Sequence, residues 1–158
     1  MTSGSPPSHG DEAKAEIYHT QSEEETFRLA EDLASQFSGD EVILLTGELG
    51  AGKTVFAKGI AAGAGVPDSH AVCSPSFTLV NIYQGRHRVF HIDLYRLDSP
   101  VEIEDLGWED YLGAGLVIVE WAEKLPFAIK AYHVRIEAGP DDERTILISR
   151  PKNSPAPS

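Results

Sequence analysis

The segment Gly47-Glu48-Leu49-Gly50-Ala51-Gly52-Lys53-Thr54 sets glycines, one lysine and one hydroxyl close together. It matches G-x-x-x-x-G-K-[ST]. An apolar run, EVILLT, precedes it, and a small-residue run, TVFAKGIAAGAG, follows. This residue set has one clear chemical use. Phosphate oxygens need many donors at short range, and main-chain N–H groups supply them where side chains do not crowd the approach. A helix that begins here adds unpaired N–H groups and a positive dipole end. The expected phosphate contacts are Glu48, Leu49, Gly50, Ala51, Gly52, Lys53, Thr54 and Val55. Lys53 can neutralise charge on the outer phosphates, and the Thr54 hydroxyl can hold a magnesium ion.

Hydrolysis asks for a carboxylate at the end of a neighbouring buried strand. GLVIVEW supplies Glu120 there, a glutamate where aspartate is more usual. In HIDLYR, Asp93 interrupts an apolar strand. A buried acid needs a partner, so Asp93 either bonds His91 or Arg96 or sits near a cation, where it orients water or the metal's water shell. Ser76 and Thr78, in SPSFTLV, are hydroxyls in a loop downstream of the cradle, either placed to reach the metal or the terminal phosphate or simply at a strand entry. Trp121, directly after Glu120, reads first as core. Arg86, Arg88 and Arg96 are available as cations, and nothing in the spacing selects one. His87 and His91 lie four apart on or near a strand, which does not make a zinc site. No N-K-x-D segment for guanine occurs, so ATP with Mg²⁺ is the expected ligand pair.

The elements that must position these groups follow from pattern. Residues 16–20 form a short strand. Residues 22–37 form a helix with Leu29, Leu33 and Phe37 on one face and a Ser22/Glu25 capping box. Residues 41–47 are a buried strand that leads into the cradle, and the helix after Lys53 stops near Gly63, Gly65 and Pro67. RVFHIDLYRL alternates, with Val89, His91, Asp93 and Tyr95 on one face. Ser99, Pro100 and Glu102 start another helix. YHVRIEAG and RTILIS flank Pro140-Asp141-Asp142 as an antiparallel hairpin. Alternating strands and helices, then a hairpin, predict a single α/β domain with a mixed β-sheet flanked by helices.

The chain has 158 residues, room for one core without staples. The folded part is expected at residues 15–150, with disordered tails at 1–14 and 151–158, both rich in Ser and Pro. The lone cysteine, Cys73, excludes an internal disulfide. No membrane span or signal peptide is legible, and a cytoplasmic location is expected. The net charge of −12 repels a phosphate backbone at long range, so nucleic acid is expected to be met only through a partner protein.

Four segments in this order, GELGAGKT, SPSFTLV, HIDLYRL and VIVEWAEKLP, closely resemble the bacterial TsaE family, also called YjeE. The resemblance runs from about residue 25 to about residue 125, and more loosely into the hairpin. It implies a P-loop NTPase fold and a small Mg²⁺-dependent ATPase with low activity alone. It further implies a role in making threonylcarbamoyladenosine (t6A) in tRNA, by docking onto a TsaB–TsaD complex whose turnover ATP hydrolysis supports. By this resemblance Lys53, Asp93 and Glu120 are catalytic, and Thr54 and Glu120 hold the metal. Thr78 belongs to a switch-like loop, and Trp121 matches the family's EW motif at the nucleotide. Ser76 stands where the family commonly has threonine, which keeps the hydroxyl. The cradle is also shared by small-molecule kinases, where Asp93 would serve as base, and by nucleotide-gated interaction modules.

Overall fold

A computed structural model describes residues 15–48, 50–72, 74–75 and 79–151. Leu49, Cys73, Ser76, Thr78 and the segments 1–14 and 152–158 lie outside the described residues.

The apolar runs form the centre of a seven-stranded sheet. Its strands are β1 (Glu16–Thr20), β2 (Val42–Thr46), β3 (Val80–Gln84), β4 (Arg88–Asp93), β5 (Leu116–Glu120), β6 (Tyr132–Ala138) and β7 (Arg144–Ser149). The order across the sheet is β1-β7-β6-β2-β5-β4-β3. The inner four, β6, β2, β5 and β4, run parallel, while β3, β7 and β1 each pair antiparallel with the neighbour toward the centre. Strands covered on both faces need unbroken apolar runs. β5 is accordingly buried at every position, whereas β6, nearer the margin, alternates. Because the inner strands are parallel, β2, β4 and β5 bring their C-terminal ends to the same edge, where α/β sheets bind ligands.

One face of the sheet is covered by α1 (Glu23–Ala34) and α2 (Lys53–Gly63). Phe56, Ala57 and Ile60 of α2 and Ala30 and Leu33 of α1 join Ile43, Ile118 and Val134 in one core. The two helices touch closely at Gly59, where a Cβ would stand 2.4 Å from Phe27 O and 2.6 Å from Ala30 Cβ. The opposite face is covered by Ile103 of α3 (Pro100–Glu104), Trp108 and Ala122. The start of α3 is a full capping box between Ser99 and Glu102. At α1 the box is offset: Ser22 accepts from Glu25 N–H, but the Glu25 carboxylate accepts from Gln21 N–H.

β1 contributes the outermost strand on the β7 side, and a side-chain clasp fixes it. Arg150 Nε donates to Glu16 Oε2 at 2.8 Å, and Tyr18 donates to Glu16 Oε1 at 2.7 Å. These bonds, the arginine's first, hold the Glu16 carboxyl below its usual 4.5. A carboxylate with a depressed folded pKa adds stability above its unfolded pKa and loses it as pH falls through the folded value. Thermal melting of the wild type and Arg150→Ala from about pH 7 to about pH 3 tests the clasp. The wild type is expected to be the more stable above pH 4.5, with the gap narrowing below it. A gap that stays constant with pH contradicts this assignment.

Candidate functional site

β2 ends at Thr46, and the chain turns through residues 47–52 into α2. Gly52 is the N-cap of α2 at φ 107°, a left-handed conformation that strains any residue with a Cβ. No side chain caps this helix. The first amide to find a helical partner is Phe56 N–H, which donates to Gly52 O at 3.0 Å. The amides of Lys53, Thr54 and Val55 therefore have no partner within the helix. A helix start of this kind is an anion seat by virtue of its free donors and its dipole.

Lys53 occupies the hollow in front of it. The residue is only 5% exposed. Its Nζ donates to Gly47 O at 2.5 Å and to Glu48 O at 2.9 Å, and lies 4.0 Å from the centroid of the Trp121 ring. Burial pushes the lysine's pKa down, while Glu123, Glu120, Asp93 and Glu48 push it back up. A cation ringed by carbonyls, an aromatic face and acids is anchored, yet its flexible stem lets the ammonium re-aim its donors.

The two predicted carboxylates stand side by side. Asp93 pairs with Glu120 across β4 and β5, and Glu120 is also in register with Leu45 of β2. Both strands end beside the loop that leaves β2. Glu120 is 2% exposed and Asp93 4%. Thr54 Oγ1 lies 3.1 and 3.2 Å from the two Glu120 oxygens and donates to that carboxylate. Beneath it, His91 is fully buried and its Nε2 lies 2.6 Å from Glu120 Oε2. A carboxylate only accepts, so Nε2 carries the hydrogen. The other ring nitrogen, Nδ1, has no partner among the described residues.

The sequence offers Asp93 either a bond to His91 or Arg96 or a place near a cation. The structure gives His91 to Glu120 and puts Asp93 among the acids that act on the Lys53 ammonium. Asp93 Oδ2 accepts from the Ser74 hydroxyl, and its Oδ1 accepts from Tyr95 N–H at 2.9 Å. The reason is register: His91 lies two residues before Asp93, level with Ile118, and its ring reaches up to the carboxylate at the end of β5. Ser74 lies 19 residues from Asp93 and opens the SPSFTLV segment, in which the sequence singles out only Ser76 and Thr78.

Trp121 combines its first reading as core with a place in the cleft. Its backbone is left-handed at φ 61°, which turns the chain sharply at the end of β5. The half-buried ring packs against the edge of the core, stacks at a tilt on Tyr95 with centroids 4.9 Å apart, and covers Lys53. Tyr95, predicted on the face of Asp93, lies past the end of β4 and is 47% exposed.

Gly50, Gly52, Lys53, Thr54, Val55, Asp93, Glu120 and Trp121 line one cleft of about 390 Å³, together with Glu23, Ser74 and Tyr95. Glu48 opens instead on a neighbouring hollow with Gly47, Trp121, Glu123 and Arg135. Ala51 is buried. The oxygens of Thr54 and Glu120 are hard donors. Among the described residues no group of three or more His, Cys, Asp or Glu could hold an ion. This donor set suits an ion that keeps waters and takes phosphate oxygens, as Mg²⁺ does, rather than one in an all-protein cage.

A family model described as "Threonylcarbamoyl adenosine biosynthesis protein TsaE" matches residues 20–146. The chain belongs to the TsaE family. The TsaE protein of Aquifex aeolicus is 45% identical over 105 residues, covering 66% of this chain and 74% of its own. That of Bacillus subtilis is 38% identical over 138 residues, covering 84% of each. The crystal structure of Bacillus subtilis YdiB superposes with a TM-score of 0.70 at 33% identity, over 89% of this chain and 88% of that one. The TsaE match spans every cleft residue named above, and the likeness to YdiB supports the same α/β architecture.

Proposed function

We propose that this chain is the ATP-hydrolysing subunit of a bacterial-type t6A machinery and supports repeated turnover of a TsaB–TsaD-type complex. The observation that carries the reading is a single cleft in a TsaE-family chain. In it an uncapped helix start and Lys53 face Thr54, Glu120 and Asp93.

In this reading the triphosphate tail lies along residues 48–55, with the amides at the start of α2 as its donors. Lys53 exchanges its bonds to Gly47 O and Glu48 O for phosphate oxygens. Thr54 and Glu120 would hold Mg²⁺, and the ion would supply charge neutralisation to the phosphates. Asp93 is fixed by Ser74 and Tyr95 N–H, with lone pairs left to orient the attacking water. Trp121 forms one wall of the cleft. No base beyond Asp93 is required, because phosphoryl transfer depends mostly on positioning and electrostatics. The cleft is open, and low activity without partners follows.

The charge balance agrees with this role. A chain at −12 gains little from naked tRNA and acts through protein contacts. No helix among the described residues is long and apolar enough to cross a membrane, and a cytoplasmic location is consistent with a tRNA-modifying partner. Reconstitution with the two partners, tRNA and a threonylcarbamoyl donor tests the reading. With the wild type and ATP, t6A is expected to form over many cycles. With Glu120→Ala it should stop near one product per complex. Equal multiple turnover with Glu120→Ala rejects the proposal.

A further inference from the structure

Two cations hold the phosphate loop, and only one of them belongs to the sequence motif. Lys53 binds the carbonyls of its first half, Gly47 and Glu48. Arg144, at the start of β7 and 93 residues from Ala51, binds those of its second half. Its Nε donates to Ala51 O at 2.8 Å and its Nη2 to Gly50 O at 3.4 Å. The remaining terminal nitrogen, Nη1, donates to Asp141 O at 3.0 Å and Glu143 O at 2.8 Å in the hairpin turn.

We propose that Arg144 is a positioning residue that pre-forms the phosphate loop from behind. The inference rests on the reading of residues 47–54 as a phosphate cradle. A trans peptide points each N–H opposite to the carbonyl before it. Drawing Ala51 O toward β7 therefore turns Gly52 N–H away from β7, and Gly52 lines the cleft. Arg144 does not line that cleft. It borders a small adjoining crevice of about 30 Å³, which shares Glu23, Gly50, Gly52 and Val55 with the cleft and adds Thr26 and Asp142. Its guanidinium is thus committed to main-chain oxygens and is not aimed at a phosphate.

The loop needs such a hold. Gly50 and Gly52 both sit at positive φ, 81° and 107°, and glycine is the residue with the most freedom to lose. When a phosphate draws Lys53 away from Gly47 and Glu48, the arginine remains. It ties the loop to a hairpin that is itself anchored in the sheet through β6 and β7. Ordering one residue's backbone changes an equilibrium constant by about one order of magnitude. Lysine cannot replace the fork, because a point charge on a flexible stem does not span loop and hairpin together.

The test is calorimetric titration of MgADP into the full chain as wild type, Arg144→Ala and Arg144→Lys, at a temperature where each is folded. Amide exchange at residues 50–54 is measured without nucleotide. Both variants are expected to bind about tenfold or more weakly, with faster exchange in the loop. A purely structural role would lower the melting temperature and leave the affinity of folded protein unchanged. Wild-type affinity in Arg144→Lys overturns the proposal, and that variant decides alone if Arg144→Ala does not fold. Failure of the wild type to bind MgADP overturns the cradle reading instead.

Discussion

Lys53→Ala is expected to abolish measurable ATP hydrolysis and to weaken MgATP binding by about 10- to 100-fold. A hydrogen bond to a charged group contributes about 1.5–3 kcal/mol, which converts to that range. Loss of one preorganised electrostatic donor costs about 100- to 1,000-fold in rate. The structure explains why no neighbour substitutes for it. Glu123, Glu120, Asp93 and Glu48 all act on the ammonium, and all are acids. Removing the lysine leaves them facing an incoming triphosphate uncompensated, so repulsion adds to the lost attraction. Phosphate release and nucleotide titration, run on a variant shown to be folded, check this directly. Hydrolysis at the wild-type rate would remove Lys53 from the mechanism.

The second large effect is on stability. His91→Leu is expected to destabilise the fold by about 3–5 kcal/mol, because it strips a buried carboxylate of its main donor. At 2% exposure Glu120 cannot turn to water for a replacement, and among the described residues Thr54 is left as its one side-chain donor. For a chain of this size the loss amounts to roughly 6–20 °C in melting temperature. The companion experiment is the pair His91→Leu with Glu120→Leu. Replacing both members by apolar residues removes the stranded charge, so the double variant is expected to melt above His91→Leu alone. Additive losses would show that the 2.6 Å contact carries no coupling.

Much of this site can be read along the chain because its parts are local. The cradle is contiguous, and its flanking strand and helix are visible as an apolar run and a small-residue run. Glu120 and Asp93 stand out because an acid ends or interrupts a buried strand. The hairpin shows as two alternating segments around Pro140-Asp141-Asp142. What pattern alone does not reach is the pairing between distant segments. His91 meets Glu120 over 29 residues, Ser74 meets Asp93 over 19, and Arg144 meets Ala51 over 93. Each contact depends on strand order and register, and periodicity carries neither. Trp121 illustrates the same limit at short range. Its apolar ring suggests core, and it does pack against the core's edge, but the same ring also walls the cleft. The offset box at α1 arises because Glu25 reaches Gln21 rather than the N-cap amide.

The central claim is that the loop after β2 and the start of α2 grip the phosphate tail of a nucleotide. Calorimetric titration of MgATP into the wild-type chain, with Lys53→Ala alongside, tests it most directly. A saturable one-site heat in the wild type, largely lost in the variant and matched by a rise in the wild-type melting temperature, is the predicted result. No heat and an unmoved melting temperature at saturating MgATP would contradict it.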